Sequence, residues 1–150
     1  MILATQFPPS GGPEAPGKTC IARGTIRVRS RGQRGMPASI VTHPITRADL
    51  AAIAAKQFGD LVKAVVDVAQ GILAIGGELH ADEEALLLEE GSRQEDLWGI
   101  NLYAGKPSDE WIEFDSLINV RPSQGNRSRG VEDPAIRAKI VEIVGSQIPR

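Results

Sequence analysis

Two groups of residues have the types and spacing for chemistry. The first is acidic with one histidine: Glu78, His80, Asp82 and Glu83 are close neighbours, and Glu113 and Asp115 alternate farther along. Carboxylates at i and i+2 of a strand point to one side, where they share a divalent cation or raise each other's pKa. His80 beside them would serve as ligand or general base. The competing reading is a half-exposed sheet that shows its charges to water, with Lys63 opposite Glu78 as a cross-strand pair. His43, next to Pro44, is expected at the surface.

The second group is the stretch R-P-S-Q-G-N-R-S-R-G-V-E at 121–132. A connection of that length is uncommon in a compact domain and is often functional. It gathers Arg121, Ser123, Asn126, Arg127 and Arg129, and forked guanidiniums beside hydroxyl and amide donors suit phosphate or carboxylate oxygens. Gly125 and Gly130 would let backbone amides approach an anion. In the competing reading these arginines pair with Glu113, Asp115 and Glu132 in a solvated loop. Other chemistries lack their residues. There is no Gly-Lys-Ser/Thr phosphate loop, no H-E-x-x-H, no C-x-x-C and no G-x-S-x-G, and the one cysteine, Cys20, permits no internal disulfide.

The elements that must position these residues follow from periodicity. Residues 39–42 form a short β run ended by Pro44. Thr46 caps a helix whose stripe is Leu50, Ile53, Ala54 and Phe58, with Asp49 in its first turn and Gly59 at its end. From Leu61 the period becomes two, with Val62, Ala64, Val66 and Val68 on one face. A two-residue turn at Gln70-Gly71 pairs Val68 with Leu73, Val66 with Ile75 and Val62 with Leu79, and Lys63 with Glu78 and Leu61 with His80 on the other face. A second hairpin joins 85–89 to 96–103, a helix over 82–90 being the alternative. Trp98, Ile100 and Leu102 face the core. A further strand sets Ile112, Phe114, Ile118 and Val120 against Glu113, Asp115, Asn119 and Arg121. Asp133 and Pro134 start a last helix with the stripe Ile136, Ile140, Ile143 and Val144. The expected fold is α+β: an antiparallel β-meander sheet with an N-terminal and a C-terminal helix packed on one face.

Charge divides the chain. Of 150 residues, 41% are apolar and 24% charged, enough for one core, and the net charge is −2. Residues 1–35 carry six basic side chains against Glu14 and are rich in Pro and Gly, whereas 36–150 carry 11 basic and 18 acidic groups. The first piece is expected to be a disordered basic extension, upstream of a start at Met36, and the second a single α+β domain. No apolar stretch approaches the ~20 residues of a membrane helix. An acidic domain is a poor match for duplex DNA.

The segments V-D-V-A-Q-G-I-L-A-I-G-G-E-L-H-A-D-E-E-A-L-L-L-E-E-G-S-R-Q-E-D-L-W-G-I-N-L-Y and I-N-V-R-P-S-Q-G-N-R-S-R-G-V-E-D-P carry a resemblance. Over roughly residues 38–148 the chain resembles a small family of uncharacterised prokaryotic proteins known as a domain of unknown function. The resemblance implies a bacterial or archaeal, cytoplasmic setting, and it brings no activity or cofactor. The function expected from the residues is a small cytosolic domain that binds a phosphorylated or other anionic ligand through Arg121, Ser123, Asn126, Arg127 and Arg129. If it is an enzyme, Glu78, His80, Glu113 and Asp115 would act on a phosphoester, with a divalent cation as the cofactor to look for. The alternative is a non-catalytic interaction module or homo-oligomer, with Trp98, Trp111 and Tyr103 as anchors.

Overall fold

The computed structural model describes residues 37–150; the expected basic extension, 1–35, lies outside the described residues. The elements run β1 (Ser39–Ile40), α1 (Arg47–Lys56), β2 (Leu61–Asp67), β3 (Ile72–Ile75), α2 (His80–Glu89), β4 (Leu97–Tyr103), β5 (Ile112–Glu113) and α3 (Pro134–Gln147). All strand pairs are antiparallel, so the α+β class with an antiparallel sheet holds. The strand order is β1-β3-β2-β4-β5. That order corrects the meander. The expected hairpin at 85–103 is replaced by α2, which carries the chain across β2, so that β3 and β4 flank β2 instead of adjoining each other.

The reason lies in local chemistry on both sides of Ile75. Gly76 takes a φ of +90°, which ends β3. Asp82 Oδ2 then accepts the amide of Leu79 at 3.1 Å and closes the first turn of α2. Ala, Leu and Glu are strong helix formers, and Glu83, Leu86 and Leu87 fall on one buried stripe. Gly91, at a φ of +98°, lets the Ser92 amide return to the Leu87 carbonyl and end the helix.

The β2–β3 hairpin keeps the expected faces with a different register. Val66 pairs with Leu73 and Ala64 with Ile75, two positions from the expectation. Asp67 causes the slip: its Oδ1 accepts the amides of Ala69 and Gln70, both at 2.9 Å, and this Asx turn lengthens the loop from two residues to four. A shift of two preserves the side-chain alternation, so Val62, Ala64, Val66, Leu73 and Ile75 stay in the core. Because β3 ends at Ile75, the expected pairs of Val62 with Leu79 and of Leu61 with His80 do not form; Leu79 is exposed and His80 begins α2.

That alternation yields two apolar clusters. Val62, Ala64, Val66, Leu73, Trp98, Ile100 and Leu102 pack with Leu50 and Ala54 of α1 and with Ile140, Ile143 and Val144 of α3. Val65, Ala74 and Leu97, one residue out of step, pack with Leu86 and Leu87 of α2. The caps of α1 and α3 form as expected, through the reciprocal Thr46–Asp49 bonds and through Asp133 Oδ1, which accepts the Ala135 amide at 2.8 Å. Phe58, expected in the α1 stripe, lies past the helix end and is exposed. Among the described residues no helix is long and apolar enough to cross a membrane.

The last expected strand stops early. β5 is two residues long, and the chain then rises into the 3-10 turn Leu117–Asn119. Here Asn119 replaces a strand: its Oδ1 accepts the Gly99 amide at 2.8 Å and its Nδ2 donates to the Gly99 carbonyl at 2.9 Å. Asn119 is therefore buried, not on a polar face, and Val120 is exposed, not core. The approach requires glycine, because a Cβ at position 99 would lie 2.5 Å from Ser116 Cβ and Oγ. Gly99→Ala should lower stability by about 1–3 kcal/mol in urea unfolding. Adding Ser116→Gly should recover most of the loss; an unchanged midpoint for Gly99→Ala alone would mean that Ser116 moves aside freely.

Candidate functional site

α2 covers only part of its sheet face. At the end of β2 and β4 that it leaves open, Lys63 pairs across the ladder with Asn101, and Asn101 with Glu113 of β5. Period two puts these three side chains on the α2 side of the sheet. Asn101 Nδ2 donates to Glu113 Oε2 at 2.8 Å and to the Asp115 carbonyl at 3.4 Å; Tyr103 Oη donates to the same Glu113 oxygen at 3.1 Å. Asp115 Oδ1 meets Arg129 Nε at 2.7 Å.

His80 enters this group from the first residue of α2. Its Nε2 lies 2.8 Å from the Ile100 carbonyl, which can only accept, so Nε2 carries the hydrogen and Nδ1 the lone pair. Burial holds the imidazole below its ordinary value; Lys63 adds to that, against the opposing pull of the Ile100 carbonyl, Asp115 and Asn101. His80 is thus a half-buried neutral base. Lys63 Nζ donates to the Glu78 carbonyl at 2.8 Å and sits 4.9 Å from the Phe58 ring centre. Glu78 itself is exposed beyond the end of β3, so the expected Lys63–Glu78 side-chain pair across a ladder does not form.

Glu83 belongs to the acidic group of the sequence analysis but is not among the four residues expected to act on a phosphoester. Glu83 is fully buried, its Oε1 accepts the Gly77 amide at 2.7 Å, and its Oε2 has no partner among the described residues. Burial pushes its carboxyl up to about 8, against the pull of the Gly77 amide and Lys63. At neutral pH it is therefore an acid. The visible signal was the i, i+3 spacing of His80 and Glu83 on a helix, hidden while 78–80 was read as strand. Asn101 Oδ1 is a second buried oxygen without a hydrogen-bond partner among the described residues. Among the described residues no group of three His, Cys, Asp or Glu side chains is placed to hold a metal ion. Glu83 is turned to Gly77, Glu113 to Asn101 and Tyr103, and Asp115 to Arg129.

The arginine loop is used differently from the expectation. Arg121 Nε donates to the Ile118 carbonyl at 2.9 Å, its Nη2 to the Leu97 carbonyl and its Nη1 to Gln124 Oε1, and the guanidinium lies 4.9 Å from the Trp98 ring centre. Asn126, which is buried, donates to the carbonyls of Asn119, Ser128 and Gly130 and accepts the Glu132 amide at 2.8 Å. Glu132 in turn accepts the amides of Arg127 and Ser128. Both residues hold the loop's shape. Ser123 and the Arg127 side chain are exposed, and Arg129 joins Asp115 beside the His80 group. Of the expected acid–base residues, His80, Glu113 and Asp115 come together and Glu78 contributes its carbonyl. Trp98 and Trp111 are 3% and 6% exposed, so neither is an anchor for a partner; Tyr103 is half-exposed.

Two measurements follow. Asn126→Ala strands three carbonyls and one amide and should cost at least about 2 kcal/mol, whereas Arg127→Ala should stay within about 0.5 kcal/mol. Equal effects in chemical denaturation would refute that division. The unfolded chain releases the Glu83 proton near 4.5 and the folded chain near 8. Between those values the unfolded state binds fewer protons, so this group lowers stability as pH rises, by up to about 1.4 kcal/mol per pH unit. Melting curves of the wild type and Glu83→Gln should diverge from pH 5 to pH 8, the variant being the more stable at the alkaline end. Parallel curves would show that Glu83 ionises normally.

No curated protein and no solved structure matches the chain. A family model does, over residues 39–147, a range that takes in nearly all of both apolar clusters, the His80 group and the whole arginine loop. The chain belongs to the family described as "Protein of unknown function (DUF5674)".

Proposed function

We propose that the protein binds a small phosphorylated or carboxylated molecule, also bearing hydroxyl or amino groups, on the open part of the α2 face, and exchanges a proton with it through His80. The observation that carries this reading is the neutral His80 imidazole, oriented by the Ile100 carbonyl and set beside Lys63, Asn101 and Asp115. A base, a buried acid and an ammonium in one patch are the parts of an acid–base site, and shifted groups such as His80 and Glu83 favour a functional reading.

The ligand class follows from which groups retain bonding capacity. Lys63 spends one of its three hydrogens on the Glu78 carbonyl and has two for an anion. Glu113, which is exposed, and Asp115, which is half-buried, have lone pairs for hydroxyl or amino groups. Phe58 and Leu79, both exposed and the former against Lys63, offer apolar contact at the rim. The anion contact thus moves from Arg121 and Asn126, whose donors are spent on carbonyls, to Lys63. Arg129 stands next in line through Asp115.

An amide-detected NMR titration with inorganic phosphate, a sugar phosphate and phosphoserine tests this. Shifts should cluster at Lys63, His80, Asn101 and Glu113. Lys63→Met should weaken the effect at least tenfold with an unchanged melting temperature, because the ammonium is half-exposed and supports no core contact. Shifts confined to 127–129, or none with any of the three probes, would refute it.

A further inference from the structure

The groups around Lys63 stand in a fixed order, which the strand order dictates. β2, which carries Lys63, has β3 on one side and β4, then β5, on the other. Away from β3, the ladder leads from Lys63 to Asn101 and on to Glu113. On the β3 side, the Gly76 amide donates to the Lys63 carbonyl at 3.2 Å, and the chain runs on through Glu78 and Leu79 to α2.

That side is apolar at its surface. Phe58 is 44% exposed and Leu79 59%. One exposed apolar side chain is ordinary. These two meet at a single ammonium. Lys63 Nζ stands over the Phe58 ring and donates to the Glu78 carbonyl, whose peptide unit also carries the Leu79 amide. Neither backbone is loose. The Gly59 amide returns to the Ala54 carbonyl at 2.7 Å, Gln57 Nε2 donates to the Gly76 carbonyl, and Asp82 holds the Leu79 amide. The fold fixes both positions while leaving both side chains in water.

The charges follow the same row. Among the described residues no carboxylate pairs with Lys63 and no cation with Glu113; the neighbouring Asp115 is answered by Arg129. Glu113 uses Oε2 for Asn101 and Tyr103, and its Oε1 is bonded to neither. Across the sheet the order is therefore apolar pair, free cation, amide, free anion. Cation and anion are two strands apart, about 9–10 Å at the backbone.

We infer, resting on the ligand site proposed above, that its ligand is a phosphodiester joining an apolar group to an amino alcohol, methylated or not. The apolar group lies on Phe58 and Leu79, the phosphate on Lys63 and the ammonium on Glu113. A diester has its anion between two substituents, as the row requires. A phosphomonoester or a carboxylate ends at its anion and leaves one flank of Lys63 unfilled. His80, bonded to the Ile100 carbonyl beside Asn101, stands between the phosphate and ammonium positions. Phospholipid headgroups and soluble phosphodiesters share this chemistry.

Calorimetric titration of the full chain with para-nitrophenyl phosphocholine, phosphocholine and para-nitrophenyl phosphate tests the inference. The first has all three parts; phosphocholine lacks the apolar group and para-nitrophenyl phosphate the amine. Each fragment carries more phosphate charge than the diester, so attraction to Lys63 alone ranks the fragments first. The diester should instead bind at least tenfold more tightly than either. Phe58→Ala should reduce its affinity to that of phosphocholine, and Glu113→Gln to that of para-nitrophenyl phosphate. Co-sedimentation with phosphatidylcholine vesicles identifies a membrane headgroup as the source, and binding of the soluble diester alone identifies a free ester. The wild-type comparison needs no variant to fold. If phosphoserine shifts the His80 group but the diester binds no more tightly than its fragments, the inference falls and the anion site stands. If neither phosphoserine nor any of the three probes binds, both fall.

Discussion

Every buried peptide group needs a partner, and in the middle of β4 that partner is a side chain. β5 pairs only with Asn101 and Leu102, so Gly99 has a free edge where the next strand would have continued. Asn119 fills it, with its carboxamide standing in for a peptide. The substitution works only because Gly99 has no side chain and Ser116 can lie against it. Much depends on this contact. It stops the sheet at five strands and lifts 117–124 off the sheet. It also draws the Arg129 carbonyl to Asn119, which leaves the Arg129 side chain beside Asp115.

A second constraint acts at the start of α2. Gly77 brings its backbone so close to the helix that a Cβ there would sit 3.0 Å from Asp82 Cβ and 3.1 Å from the Glu83 carboxyl. The same approach supplies the amide that Glu83 accepts. A leucine in place of Glu83 would continue the stripe of Leu86 and Leu87 and would be the ordinary choice for an apolar cluster. Burying a carboxyl with one oxygen unpartnered is costly, and the raised pKa expresses that cost as retention of a proton. Local departures from the rules of packing concentrate at working sites. Here the departure adjoins the one half-buried histidine.

The sequence made the apolar side of the sheet legible. Alternation in 61–68 and 98–102 and the stripes of α1 and α3 were sufficient, because large side chains with one period have one way to be buried. The two helix caps were equally plain. What could not be seen was the other face. An alternating strand does not reveal whether water or a helix covers its second side, and 82–90 suited strand and helix alike until Gly76, Asp82 and the spacing of Glu83, Leu86 and Leu87 were taken together. The site was legible in the same proportion. That His80, Glu113 and Asp115 lie near one another was expected from residue type, whereas the burial of Glu83 depends on the helix.

Arg121 and Asn126 show why residue type alone does not identify an anion site. A guanidinium fork fits two phosphate oxygens, and it fits two backbone carbonyls as well, since both offer lone pairs at hydrogen-bonding distance. A long loop without regular structure has many carbonyls to satisfy, and the residues that satisfy them are the arginine and asparagine that would also attract a phosphate. Burial separates the two uses. Asn126 is inside and has every polar group engaged, so its bonds are to its own chain. Lys63 is half in water with hydrogens to spare, a state that costs little to keep and leaves it available to something else. A polar group that the fold does not use up is the better sign of a ligand than one that the fold has already answered.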